Sequence, residues 1–444
     1  MDPRRRERTG HFTRREFLRS AAVAAGGTVA AATGAARGAR RGAGPVAGGP
    51  ASAAASATAP AATKTQATGP HVAVIGAGAF GGWTALMLRR RGARVTLVDA
   101  WGAGNPRASS GGETRVIRSI YGKDEAMTRM AARALALWRE NERRFGVTLF
   151  HPTGVLWMTG EDDRYVRDAL PNVRAAGLTV DEITLADAAA RWPQIRFDGV
   201  RRVLLEKDAG YLLARDACDA VQRAFVAAGG DYLQAEARPF AALSDASRIG
   251  PMALGDGTIL AADVYVFACG PWLGTLFGNV IGDLVRPTRQ ELFVFGPPAG
   301  DVRYTDARLP VWIDLGERLL YGIPASGIRG FKFGDDTRGA LFDPTTGDRT
   351  PSAEGARAAR LALGRRFPAL KDAPIVEASV CQYENTPDGR FIIDRHPRAA
   401  NVFFAGGGSG HGFKHGPAIG ELVASMALGE TPPDPAFGLA RFAT

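Results

Sequence analysis

The 444-residue chain has little cysteine and little lysine. Its three cysteines, Cys218, Cys269 and Cys381, lack the short spacings of a metal site and supply no disulfide framework. Only six lysines are present, so a lysine kept inside a motif is more telling than one of the many arginines. Long apolar runs are missing too. The uncharged stretch from Ser20 to Ala36 is 17 residues of mostly Ala and Gly, too short and too weakly apolar for a stable membrane span. No internal repeat is evident. A nucleic-acid footprint is also absent. The formal net charge is +10, but residues 1–70 hold ten Arg and one Lys against one Asp and two Glu. That leaves about +2 for residues 71–444, and no nucleic-acid partner is expected.

The N-terminal charge belongs to a leader. Thr13-Arg14-Arg15-Glu16-Phe17-Leu18-Arg19 is a twin-arginine pattern, followed by a weakly apolar Ala/Gly segment. Residues 1–36 are therefore expected to be an export signal read by the twin-arginine machinery, bound for the periplasm or the cell exterior. Residues 37–70 are Ala, Gly, Ser, Thr and Pro with hardly a bulky apolar side chain. They are expected to form a disordered linker, because they cannot bury enough surface to offset ordering. The remaining 374 residues suffice for a large core and two domains.

What the chain does hold is two glycine-rich cradles at opposite ends. His71–Ile75 reads as a strand running into Gly76-Ala-Gly78-Ala-Phe-Gly81. A helix from about Gly82 to Arg91 follows, then a strand from Arg94 to Val98 ending at Asp99. This is the βαβ dinucleotide fingerprint in its required context: glycines admit the pyrophosphate to a helix N-terminus, and Asp99 binds a ribose hydroxyl. A later strand, Ala262 to Ala268, ends in Cys269-Gly270-Pro271-Trp272 and reads as returning to the same sheet. The second cradle follows the run CQYENTPDGRFIID. Gly406 to Gly408, Gly410 and Gly412 precede a helix expected from Pro417 to Leu428, with His411 and Lys414 in the same turn. Glycines there let backbone N–H groups approach a ligand, and a fixed cation suits an anionic one. Two cradles on one chain point to an extended cofactor such as FAD, although the first motif alone does not separate FAD from NAD.

Five motifs then occur in one order: Gly76 to Gly81, Gly112-Glu-Thr-Arg115-Val-Ile-Arg118, Gly330-Phe-Lys332, Cys381-x-Tyr383 and Gly410-His-Gly-Phe-Lys414. Together they resemble the monomeric sarcosine oxidase and N-methyltryptophan oxidase branch of the D-amino-acid-oxidase-like flavoenzymes, from about Val72 to Phe442. The resemblance implies FAD held by Gly76, Gly78, Gly81, Asp99, Gly408, Gly410 and Gly412, with its ring tethered through a thioether to Cys381. It implies Arg118 and Lys414 as a clamp on a substrate carboxylate, with Tyr321 as a pocket wall. It places Arg115 against the flavin face and Lys332 near the ring nitrogen where dioxygen reacts. Tyr383 and His411 complete the catalytic set. Two departures touch the pocket: Gly111 stands where the family has His, with Glu113 for Asp, and Asp336 replaces a further His.

The expected fold is α/β. A discontinuous Rossmann-type FAD-binding domain takes residues 71–150, 208–284 and 382–444. An α+β substrate domain on a largely antiparallel sheet takes 151–207 and 285–381. The expected function is oxidation of a carboxylate-bearing amine, with dioxygen as the second substrate and a monomer implied by resemblance. A flavin dehydrogenase using another acceptor and a non-catalytic flavin-binding protein are the alternatives.

Overall fold

The computed structural model describes residues 68–237 and 247–443. The expected export signal and nearly all of the expected linker lie outside the described residues.

A six-stranded sheet forms around His71–Ile75, whose last four residues are β-branched or small, apolar and buried. The strand order is Ile392–Arg395, Val402–Gly406, Val264–Phe267, His71–Ile75, Arg94–Asp99 and Asp231–Gln234. All neighbours pair in parallel except the first two. Parallel strands buried on both faces read as continuous apolar runs, as they do here. The helix Ala79–Arg90 begins three residues earlier than the sequence suggests, because Gly78 serves as its N-cap and the later glycines are already helical. Gly81 is one of them: a Cβ there would stand 1.8 Å from the Gly76 carbonyl oxygen. The helix Gly416–Ala427 packs on the same element. Cβ atoms at Gly416 and Gly420 would lie 2.6 and 2.7 Å from Trp83, so their absence is what lets the two helices close together.

A second, eight-stranded sheet has the order Ile375–Asn385, Arg286–Phe295, Phe331–Asp335, Leu319–Ile323, Val311–Leu315, Val155–Thr159, Arg202–Glu206 and Val180–Ile183. Its pairs are antiparallel save Val311–Leu315 with Val155–Thr159. Trp312, Phe331 and Phe367 meet in its core with ring centroids 5.0–6.4 Å apart. Each such buried aromatic contributes about 1.5–3 kcal/mol through removal from water. The strand Ile375–Asn385 runs unbroken past Cys381 and carries Tyr383 and Glu384 toward the first sheet. Thr114–Ile117, Gly210–Leu213 and Phe150–His151 make a third, small sheet. Arg115 sits in its first strand and Arg118 just beyond. All three cysteines are free thiols. No helix among the described residues is long and apolar enough to cross a membrane, and no His/Cys/Asp/Glu group there is set to hold a metal.

Candidate active site

A cavity with about 230 Å³ of water-accessible space runs past the C-terminal ends of the parallel strands, where open α/β sheets bind ligands. Asp99, Ala100 and Glu236 line one part, Gly76, Gly78 and Gly408 the next, and Arg115, Tyr321 and Cys381 the far part. At the glycines the wall is backbone. Gly76 has φ +104°, and a Cβ on it would stand 2.3 Å from the Ala268 carbonyl oxygen. Asp99 does more than the sequence suggests. Its Oδ2 accepts from Ala77 N at 2.7 Å, and its Oδ1 accepts from Trp101 N and Gly102 N, both at 2.9 Å. The carboxylate thus fixes the glycine turn and the loop after its own strand.

The second cradle is held by side chains. Ser409 is a non-glycine residue with positive φ, at +48°. Its hydroxyl accepts from Thr386 N at 3.1 Å and donates to Gly407 O at 3.1 Å, which offsets the strain of that backbone. Gly410, at φ +79°, lies under Tyr383, whose ring a Cβ would meet at 2.6 Å. Gly408, Gly410 and Gly412 all line the cavity. Two buried polar atoms on the cavity residues, Ser109 Oγ and Glu384 Oε2, have no hydrogen-bond partner among the described residues. A side-chain-free turn at a helix start, a long cavity and unmet polar groups on its wall fit an extended polar cofactor such as FAD.

Cys381 faces this far part of the cavity. Arg115 Nη2 lies 3.5 Å from its sulfur, and the same guanidinium donates to Ser109 O at 2.7 Å and Thr114 O at 2.8 Å. Lys332 is buried next to this group and donates to Thr114 O at 2.8 Å. Burial, then the Arg115 charge, pulls its ammonium down to about 7. Gly111 has no space for a side chain, since a Cβ would stand 2.0 Å from Asn105 O; the expected His could not be built there. Glu113 pairs instead with Arg329 at 3.4 Å.

Arg118, Lys414 and His411 form a second cluster, linked to Tyr383 through Asp336 but not lining the cavity. Arg118 lies over the rings of Tyr121 at 4.5 Å and Trp157 at 5.3 Å and donates to Ile120 O at 2.5 Å. Burial works against its charge, but the Tyr165 and Tyr121 phenols, Glu206 and Asp336 hold it above the ordinary guanidinium value. Lys414 is buried and donates to His411 O at 2.6 Å; burial and the Arg118 charge push its ammonium well below the usual range. The His411 ring is likewise driven toward the neutral form by burial, then by Lys414. Its Nε2 sits 3.0 Å from Gly389 O. The fold therefore brings together Arg118, Lys414 and His411, and separately Arg115, Lys332, Tyr321, Tyr383 and Cys381, with Asp336 linking the two groups through the Tyr383 hydroxyl.

Sequence reasoning missed the buried acids behind both groups. Glu206 accepts from Ser119 N and Oγ at 2.5 Å and from Trp157 Nε1 at 3.1 Å, directly beside Arg118. Glu384 is buried in the cavity wall, and burial raises its carboxyl to about 7 while the Gly407 and Gly408 amides oppose that. A charged residue inside the apolar strand LLE, and another within CQYEN, were the available signals. Tyr121 and His415 were missed as well; the phenol lies 2.7 Å from His415 Nε2 under the Arg118 guanidinium.

A flavoprotein architecture of a mostly parallel and a largely antiparallel sheet, with a glycine-cradled cavity and adjoining cation clusters, is the class of protein this geometry defines. The FAD dependent oxidoreductase (DAO) family model matches residues 71–426, and the chain belongs to that family. Monomeric sarcosine oxidase of Bacillus sp. (strain B-0618) is 30% identical over 364 residues, covering 80% of this chain and 92% of that one. N-methyl-L-tryptophan oxidase of Salmonella newport (strain SL254) is 29% identical over 372 residues, covering 81% and 95%. The resemblance drawn from the motif order is thus borne out. The crystal structure of L-proline dehydrogenase from P. horikoshii superposes with a TM-score of 0.73 at 24% identity, covering 84% of this chain and 98% of the other, and shares the fold.

Proposed function

We propose that this protein is an exported FAD-dependent oxidase of a small amine that carries a carboxylate. The observation that supports this most is that half-buried Arg118 and buried Lys414 both lie against the Tyr121 ring, with Asp336 joining them to Tyr383 on the cavity wall that also holds Arg115 and Cys381. A planar guanidinium takes a carboxylate through two hydrogen bonds, and a nearby ammonium completes its neutralisation. Gly76, Gly78, Gly81 and Asp99 would hold the dinucleotide part of FAD. Gly408, Gly410 and Gly412 would approach its ring, and the Cys381 thiol would carry the covalent thioether tether. Bound there, FAD supplies hydride acceptance from the C–H beside the substrate nitrogen and electron return to dioxygen, with imine and hydrogen peroxide as products.

The chain's own residues do the rest. Arg118 and Lys414 orient the substrate; Tyr321 and Tyr383 wall the pocket and exclude water. Arg115 and Lys332 keep positive charge where negative charge develops. Anaerobic mixing with a panel of free and N-methyl amino acids tests the reading: the flavin should bleach with at least one of them. Oxygen should then restore its colour faster than an artificial dye does, with peroxide formed. No bleaching by any member would remove the amine oxidase assignment, and dye-only recovery would make it a dehydrogenase. Acid-precipitated protein should stay yellow, and Cys381→Ala should lose its flavin under that treatment. Replacing Arg14 and Arg15 with Lys should trap folded protein in the cytoplasm; unchanged export would remove the leader assignment.

A further inference from the structure

Asp336 has no part in the carboxylate clamp just described, yet it stands among its members. It follows the strand Phe331–Asp335 and continues the alternation that puts Lys332 and Gly334 on one face. Gly334 leaves that face open for Tyr321, whose ring a Cβ there would meet at 2.5 Å. The Tyr383 hydroxyl donates to Asp336 Oδ1 at 2.8 Å. Oδ2 takes no hydrogen bond among the described residues. The charged and titratable groups that act on the carboxyl are Tyr383, Arg118, Lys414, Tyr121 and Tyr321, with the charge of its chain neighbour Asp335. Burial pushes the carboxyl up, and Tyr383, Arg118 and Lys414 oppose that. In return, Asp336 is the foremost group favouring the charged form of Lys414.

Two cations alone would suit any carboxylate, acetate as well as an amino acid. A carboxylate set among them changes the recognition. It lowers the attraction for a bare anion, and its open oxygen offers an acceptor to a positive N–H donor, the strongest kind of hydrogen bond available here. We propose that Asp336 is the amine-recognising residue of this site: its free oxygen accepts an N–H from the substrate while Arg118 and Lys414 take the carboxylate. The pocket is thereby built for a zwitterion and works against simple carboxylates. Tyr383 is a positioning residue in this scheme, since its hydroxyl fixes the carboxyl through the other oxygen.

This inference rests on the amine oxidase reading above, and one titration separates the two. Holoprotein is titrated anaerobically with acetate, read by perturbation of the flavin absorbance, and with glycine and N-methylglycine, read by perturbation or bleaching. In Asp336→Asn the affinity for acetate should rise at least ~10-fold and that for the zwitterions should fall at least ~10-fold. A merely structural role moves both in the same direction, and a plain counter-ion raises both; either result would overturn the proposal while leaving the oxidase reading intact. Tyr383→Phe keeps the charge and loses its alignment, so zwitterion affinity should fall without any gain for acetate. A wild-type flavin indifferent to all three probes, and to the wider amino-acid panel, would sink both readings together.

Discussion

The two parts of the cavity are built from different materials. At the Asp99 part, recognition is backbone: glycines without Cβ atoms, helix N–H groups and one carboxylate that ties the turn together. These pieces lie within 24 residues of one another, from Gly76 to Asp99. At the Cys381 part, recognition is side chain: Arg115 and Cys381 line the cavity and Arg118, Lys332, Asp336 and Lys414 adjoin it, from segments almost 300 residues apart. The difference follows from what each part would meet. A cofactor's pyrophosphate is invariant and is served by fixed amides, whereas an amine varies and is read by replaceable charges.

That contrast can be broken at its backbone part first. Gly81→Ala should abolish flavin retention, because its Cβ would stand 1.8 Å from a carbonyl oxygen that cannot move without the turn. The expected loss is at least ~4 kcal/mol, seen as colourless protein with a lowered melting temperature. A yellow, stable variant would mean that the turn yields more easily than its geometry implies.

Glu384 lies between the two parts and sharpens the comparison through pH. Its carboxyl is raised from 4.5 to about 7. A group raised on folding favours the folded state below its unfolded value, and that contribution is lost as pH rises through 7. Glu384→Gln should therefore gain stability over the wild type between pH 5 and pH 8, by roughly 2–3 kcal/mol. Melting curves at the two pH values check this, and parallel curves would show that another group neutralises the carboxylate.

At the side-chain part the losses should be smaller and selective. Arg118→Ala should keep its flavin but weaken substrate binding in the reductive half-reaction by about 1.5–3 kcal/mol. Normal bleaching would put the clamp elsewhere. Lys332→Met should slow reoxidation by oxygen on the order of 10-fold, a barrier change of about 1.4 kcal/mol, with anaerobic reduction affected far less. Equal loss in both phases would give the lysine a general structural role.

The sequence by itself determined the parts that repeat a local rule. The strand–glycine turn–helix at Val72 to Arg90 and the helix after Pro417 were legible because apolar runs and glycine spacing act over a few residues. The family's motif order added Arg118, Cys381 and Lys414 as members of one site. Tertiary structure decided what those residues face. Only packing shows that Lys332 is buried on Thr114 O, that Gly111 leaves no room for a His, that Asp99 spends both oxygens on backbone amides and that Glu206 stands behind Arg118. Asp336 makes the same point: in the sequence it is one acid beside another, and in the fold it meets two cations and a tyrosine. Burial and the field of distant charges set the chemistry of such groups, and neither is a property of neighbouring letters in the chain.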